Sequence, residues 1–231
     1  MTELTKTKVT LDVPWKISDI ILTYSLTFAT ALLTIGILLQ MNTGSGSLIY
    51  VSVLQASITL TSLICVYYII VRKYKTSFLK ALGIDFKKIG KNFLQGLLVA
   101  ALVIFATSAI SYIFGLFTSS APVNPYGNYS KEKMEVISMF AILTAPFFEE
   151  ILFRGFIQPV FVKQGGAFFG IMLASLIFAF SHSQYLNYDS AFVGVFAIGI
   201  VLGYTRHLTG SIMPGIFAHL INNLLAVLGL S

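Results

Sequence analysis

The sequence predicts an all-α fold, a polytopic membrane helix bundle of about seven transmembrane helices. Three observations carry that expectation. The 231-residue chain is 56% hydrophobic and only 10% charged, with a mean hydropathy of +0.85, where a soluble domain carries about 25% charged residues. Its apolar residues fall into successive runs, several of them long enough for the roughly 20 helical residues that cross a hydrocarbon core. Its basic residues crowd into one stretch between two such runs, the mark of a cytoplasmic loop. Residues 1–231 read as one integral membrane domain, in which helices and loops at 1–133 precede core helices at 136–225.

The net charge of +6 would suggest nucleic acid in a soluble protein. Here the lysines and arginines flank membrane segments, so the expected partners are membrane lipids and no nucleic acid. The single cysteine, Cys65, excludes an intramolecular disulfide and a Cys-rich metal site. Met1 to Lys16 is polar and mixed in charge, without the short apolar core and small-residue cleavage site of a signal peptide, so no cleaved leader is expected.

The first span is expected at about Ile17 to Met41, with Trp15 as an interfacial anchor and Asp19 as an early charge near the boundary. The uncharged, turn-rich loop Asn42 to Ser47 returns the chain as an antiparallel neighbour at about Leu48 to Val71. From Arg72 to Lys91, seven basic residues face a single Asp85, while Phe78, Leu79, Leu82, Ile84 and Phe86 give the loop an apolar side suited to the membrane interface. A solvated basic loop is the competing reading.

A third span is expected at about Phe93 to Phe117, followed by an exposed, Ser-, Pro-, Asn- and Gly-rich connection at Thr118 to Lys133 that could act as a lid. A fourth begins near Met134 and carries Pro146, which should bend it, with Pro159 near its end. Gly165-Gly166 breaks the pattern before a fifth segment ending in Phe178-Ala-Phe-Ser-His182. The sixth, about Ser190 to Tyr204, presents Gly194, Gly199 and Gly203 as a small-residue edge for close helix contact. The last, about Ser211 to Leu230, contains His219, Asn222 and Asn223. The N-terminus is expected inside and the C-terminus outside.

Charges inside apolar helices cost roughly 2.5–3.5 kcal/mol each on insertion scales, so those that occur there point to a polar interior or to function. Glu149, Glu150 and Arg154 lie in the fourth segment, His182 ends the fifth, and His219 with Asn222 and Asn223 lies in the last. Glu150 and Arg154, four apart, share a helix face and can pair. Glu149 points about 100° away and is left for proton transfer. His219 and Asn223 share a face, as do Phe178 and His182. A carboxylate, two imidazoles and an amide are the parts of an amide hydrolase: a base for water, donors for an oxyanion and an orienting group. His207, beside Arg206 in a turn, reads as interfacial, and Phe147, Phe148, Phe153 and Phe156 read as packing, lipid-facing or groove-lining residues.

Glu149-Glu150-x-x-x-Arg154, Phe178-x-x-x-His182 and His219-x-x-x-Asn223, in that order on successive apolar segments, resemble the three motifs of the CPBP superfamily, the CAAX prenyl-endopeptidases and bacteriocin-processing or immunity enzymes also called Abi proteins. The resemblance covers about Val136 to Leu225. It implies an intramembrane endopeptidase in which Glu149 and His182 activate water, His219 and Asn223 hold the oxyanion, and Glu150 with Arg154 is a structural pair. It also implies a membrane-associated peptide or lipidated protein as substrate, and the chain looks like one from a bacterial cytoplasmic membrane. Only the family spacing prefers Asn223 to Asn222.

The family has been described both as metalloprotease and as glutamate protease. Zinc on Glu149, His182 and His219 is one branch; the reading taken is that no cofactor is required, since no local His-Glu-x-x-His pair is present. The competing function is a non-catalytic scaffold or chaperone that binds a peptide or membrane-protein partner in the same cavity. A transporter is a weaker third reading, because the polar residues cluster in one half without paired inverted repeats. The oligomeric state, the substrate and the membrane face that admits it are open at this level.

Overall fold

The computed structural model describes residues 12–44, 47–117 and 130–228. Nine α-helices follow one another in it: α1 Ile17–Gln40, α2 Leu48–Tyr67, α3 Phe78–Leu82, α4 Ile89–Phe117, α5 Lys131–Leu143, α6 Ala145–Glu149, α7 Gln158–Ser181, α8 Asp189–Thr209 and α9 Met213–Val227. π-Helical turns extend α2 over Tyr68–Lys73 and join α6 to α7 over Glu150–Ile157. Among the described residues five helical stretches are long and apolar enough to cross a membrane, 17–40, 48–73, 78–117, 145–181 and 189–209, with Met213–Val227 as a shorter apolar helix. The protein is an integral membrane helix bundle. Much of the outward surface of α1 and α4 is apolar, with Phe28, Leu33, Leu98 and Phe105 exposed, as expected of helices solvated by lipid.

The expected fourth span is corrected. It does not run on from Met134: the helix breaks at Thr144 (φ −113°, ψ −46°) and restarts at Ala145 with Pro146 in its first turn. Proline has no N–H to offer the preceding turn but fits the start of a helix, so it divides α5 from α6 rather than bending one helix. Pro159 has a related effect. Just ahead of it the ladder widens, and the Gln158 N–H reaches the Phe153 carbonyl five residues back.

Residues 145–181 form a helical hairpin. Gly166 stands at φ 80°, ψ 174°, a conformation that side chains with a Cβ rarely adopt, and there the chain reverses. The two arms pack antiparallel: Gly170 lies against the Val162 backbone, Phe178 against Phe153 and Arg154, and His182 against Glu149. The break expected at Gly165-Gly166 is therefore a hairpin turn, and it brings the start of one arm level with the end of the other. A packed core of Trp15, Val66, Ile70, Phe153, Phe156 and Phe178 joins this hairpin to α1 and α2.

Trp15 is not an interfacial anchor: it is 2% exposed, stacks on Phe156 and donates its indole N–H to the Phe156 carbonyl at 2.8 Å. Asp19 is likewise buried, and its carboxylate accepts from Lys73 at 2.5 Å, Tyr74 at 2.9 Å and the Lys16 backbone at 2.9 Å. These contacts supply the partners a buried charge requires. The basic loop is docked, not a free linker, since Leu82 of α3 is fully buried against Gly155, and its carbonyl accepts from the Ile212 N–H. Most of the expected lid, 118–129, lies outside the described residues.

Candidate active site

Glu150 and Arg154 sit on the π-helical turn, with side chains 0% and 2% exposed. Arg154 Nη1 lies 3.0 Å from Glu150 Oε1, and Arg154 Nη2 donates to the Gly199 carbonyl of α8 at 3.4 Å. The guanidinium carbon also stands 4.2 Å from the centre of the Phe178 ring, a cation–π arrangement. Glu150 Oε1 is 3.6 Å from His219 Nδ1, while Oε2 abuts Gly215 at the start of α9. This one pair thus ties together the hairpin, α8 and α9. Breaking such a buried pair by removing one member leaves an uncompensated charge and costs about 3–5 kcal/mol.

Glu149, the residue before, turns to another side. Its Oε2 lies 3.7 Å from His182 Nε2 and 3.7 Å from His219 Nε2, between the two imidazoles. His182 is the first residue beyond α7, and its Nδ1 lies 2.9 Å from the Phe178 carbonyl. A carbonyl can only accept, so Nδ1 carries the proton and Nε2 presents a lone pair to Glu149 when the ring is neutral. His219 has the same orientation on α9, with Nδ1 towards Glu150 and Nε2 towards Glu149. Both rings also contact Phe178, which lies under them.

Glu149 and His182 open into a cavity of about 380 Å³ whose opposite wall is built by α1 and α2: Thr23, Tyr24, Thr27, Gln55, Ile58 and Ser62. Thr27 and Ser62 hydroxyls meet at 3.0 Å across that wall. Phe148 and Phe153 also line the cavity, whereas Phe156 is core and Phe147 is exposed.

Asn223 is placed differently. It lies one turn beyond His219, but its amide donates to the Ala141 carbonyl of α5 at 2.9 Å, and its oxygen lies 3.4 Å from Asn222 Nδ2. Neither asparagine lines the cavity. His207 is half-buried, and its Nδ1 has no hydrogen-bond partner among the described residues. Among those residues no group of three or more His, Cys, Asp and Glu side chains is arranged to hold a metal ion.

Sequence reasoning missed Gln158, one turn beyond Arg154, whose amide donates to the Gly203 carbonyl at 2.9 Å just as Arg154 reaches Gly199. The signal was a polar residue at i+4 from a buried arginine, facing a glycine edge of matching period. It also missed the cavity wall contributed by α1 and α2, foreshadowed only by Thr23 and Thr27 spaced one turn apart in an apolar helix.

Residues 132–225 match the type II CAAX prenyl endopeptidase Rce1-like family. The chain is also 32% identical over 133 residues, 54% of its length, to the Bacillus subtilis (strain 168) protein YpbD, described as uncharacterized. That alignment spans 62% of YpbD, less than two thirds of its length. No solved structure matches the chain. The family resemblance carried by the three motifs is borne out over residues 132–225, the segment that holds Glu149, Glu150, Arg154, His182, His219 and Asn223.

Proposed function

We propose that the protein is an intramembrane endopeptidase that hydrolyses a peptide bond of a membrane-associated or lipidated peptide through a water activated by Glu149 and His182. The observation that carries this reading is the position of Glu149 Oε2, 3.7 Å from two imidazole Nε2 atoms at the edge of a cavity. That oxygen is buried without a hydrogen-bond partner among the described residues, and 3.7 Å is beyond direct hydrogen-bond range, so in the proposal a bridging water supplies the missing donor. The CAAX-type protease family matched over the same residues supports the reaction class.

Glu149 takes a proton from the water as it attacks the scissile carbonyl and delivers it to the leaving amine, a contribution of about 10²–10⁴ in rate for general acid–base catalysis. The lone pair of His182 Nε2, fixed by the bond from Nδ1 to Phe178, accepts the water's second hydrogen bond. His219, with Nδ1 facing Glu150 and Nε2 facing Glu149, is the side chain proposed to donate to the developing oxyanion. Asn223 in this scheme supports α9 through Ala141 and reaches an oxyanion only after releasing that carbonyl. The proposed chemistry needs no metal, and a bacterial cytoplasmic membrane is its proposed setting.

The test is cleavage of a panel of membrane-associated peptides, prenylated CAAX peptides and bacteriocin-type leader peptides among them, by the purified protein in lipid. Glu149→Gln and His182→Ala are expected to lose at least about 10²-fold in kcat. Unchanged turnover in both would sink the proposal, and a cellular phenotype that survives Glu149→Gln would favour the scaffold.

A further inference from the structure

A second cavity, about 940 Å³ in volume, lies among the basic loop, α4 and the α8–α9 turn. It shares no lining residue with the cavity at Glu149. From its contents we infer a binding site for the phosphate headgroup of an anionic phospholipid, with Lys80, Lys91 and Asn92 as its recognition groups.

Charge is the first argument. Lys80, Lys88 and Lys91 face a single carboxylate, Asp85, and that carboxylate lies 3.4 Å from Lys88. Lys80 and Lys91 have no ion-pair partner among the described residues. Behind the wall, Arg206 is 3% exposed, and its guanidinium is held by the carbonyls of Ala81 and Gly210 without any carboxylate within ion-pairing distance among the described residues. Glu150, beyond ion-pairing distance, is the carboxylate whose charge reaches Arg206, so the guanidinium adds to the positive potential behind the lysines without closing a pair there.

An unpartnered donor inside the cavity is the second argument. Asn92 lines it and is 5% exposed, yet its amide forms no hydrogen bond among the described residues. The residue is otherwise enclosed, and its amide faces the open cavity with both N–H groups free for an acceptor that enters it. A phosphate offers several such acceptors.

Shape decides the class of anion. The lining runs from the lysines along α4 to Leu98 and across to Leu208, and these two leucines are among the most exposed apolar side chains of the described residues. Leu98 lies in the apolar stretch of a membrane-spanning helix, about two turns beyond Lys91. A cationic end that continues into an apolar lane fits a molecule with a charged head and acyl tails. A free anion would use only the first half. Basic pockets between membrane helices are suited to headgroups of this kind.

The experiment is equilibrium binding of phosphatidylglycerol, phosphatidylcholine and inorganic phosphate to the full chain in neutral detergent, read by native mass spectrometry. Phosphatidylglycerol is expected to bind and phosphatidylcholine to bind at least about tenfold more weakly. Lys80→Gln with Lys91→Gln should weaken phosphatidylglycerol about 10- to 30-fold, whereas Lys75→Gln with Lys87→Gln, the same charge removed from outside the lining, should leave it within about twofold. Asn92→Leu should weaken binding without altering charge. Equal losses in the two double variants, or equal affinity for the two lipids, would overturn the site. Displacement of the lipid by an equal concentration of inorganic phosphate would overturn the lipid assignment in favour of a soluble anion.

Discussion

Gly215 of α9 stands so close to Glu150 that a Cβ placed on it would lie 2.5 Å from Glu150 Oε2. The carboxylate has little room to retreat, being fully buried and engaged by Arg154 on its other oxygen. Gly215→Ala is therefore expected to push the carboxylate off Arg154 and away from His219. A stability loss of about 1–3 kcal/mol follows, the range for disturbing a buried polar network. Thermal unfolding of the purified protein in detergent measures it, and peptide cleavage should fall along with it because His219 loses the group that faces its Nδ1.

The pair itself predicts non-additivity. Glu150→Gln leaves a buried guanidinium without its counter-charge, and Arg154→Met leaves a buried carboxylate, so each single change should cost about 3–5 kcal/mol. The double variant removes both charges and should be less destabilised than the sum of the two by about 1–3 kcal/mol. Arg154 also reaches the Gly199 carbonyl and Phe178, so the double variant should still fall short of the parent. A double-mutant cycle in unfolding free energy provides the check.

Metal dependence separates the two branches left open by the sequence. If Glu149 and His182 activate water directly, treatment with EDTA or 1,10-phenanthroline should leave cleavage within about twofold, while Glu149→Gln abolishes most of it. Elemental analysis of the purified protein should find well below one zinc per chain. Loss of activity on chelation, restored by zinc, would place the chemistry on a metal instead.

Much of the helical pattern was legible because apolar runs and turn residues separate cleanly. The misread regions share a cause. Pro146 acts through its missing N–H, and whether that bends one helix or starts another depends on whether tertiary contacts support the preceding turn, which a single sequence does not display. Taking the fourth helix to start near Met134 placed Glu149 in mid-span and His182 at an end. With the helix restarting at Ala145 and the chain reversing at Gly166, the two residues occupy the same end of a hairpin. Trp15 was misread for a related reason: an aromatic ahead of a span looks the same whether it meets lipid headgroups or the carbonyl of Phe156, which is 141 residues away. The candidate site was visible as three polar motifs. The wall that faces them, from α1 and α2, was not: the one-turn spacing of Thr23 and Thr27 marks a polar face on α1 but does not say what lies opposite it.

The glycine edge of α8 gives a prediction in which similar residues behave differently. Gly194, Gly199 and Gly203 look equivalent in sequence, but their surroundings are not. A Cβ at Gly199 would meet Ser175 of α7 at 2.8 Å from its Cβ and 3.1 Å from its Cα, so backbone would have to move. At Gly203 it would meet Ile171 Cγ2 at 2.8 Å and the Gln158 amide at 3.1 Å, groups with some freedom to turn. At Gly194 the nearest atom is Thr107 Cγ2 at 3.9 Å, an ordinary contact. Gly199→Ala should separate α8 from α7, weaken the reach of Arg154 to the Gly199 carbonyl and cost about 1–3 kcal/mol. Gly203→Ala should cost less unless Gln158 loses its bond to the Gly203 carbonyl, worth about 1 kcal/mol. Gly194→Ala should be neutral or stabilising by up to about 1 kcal/mol, since alanine is the better helix former where space allows. Unfolding measurements on the three variants side by side check the order, and a Gly194→Ala loss as large as that of Gly199→Ala would contradict the open contact between α8 and α4 at Gly194.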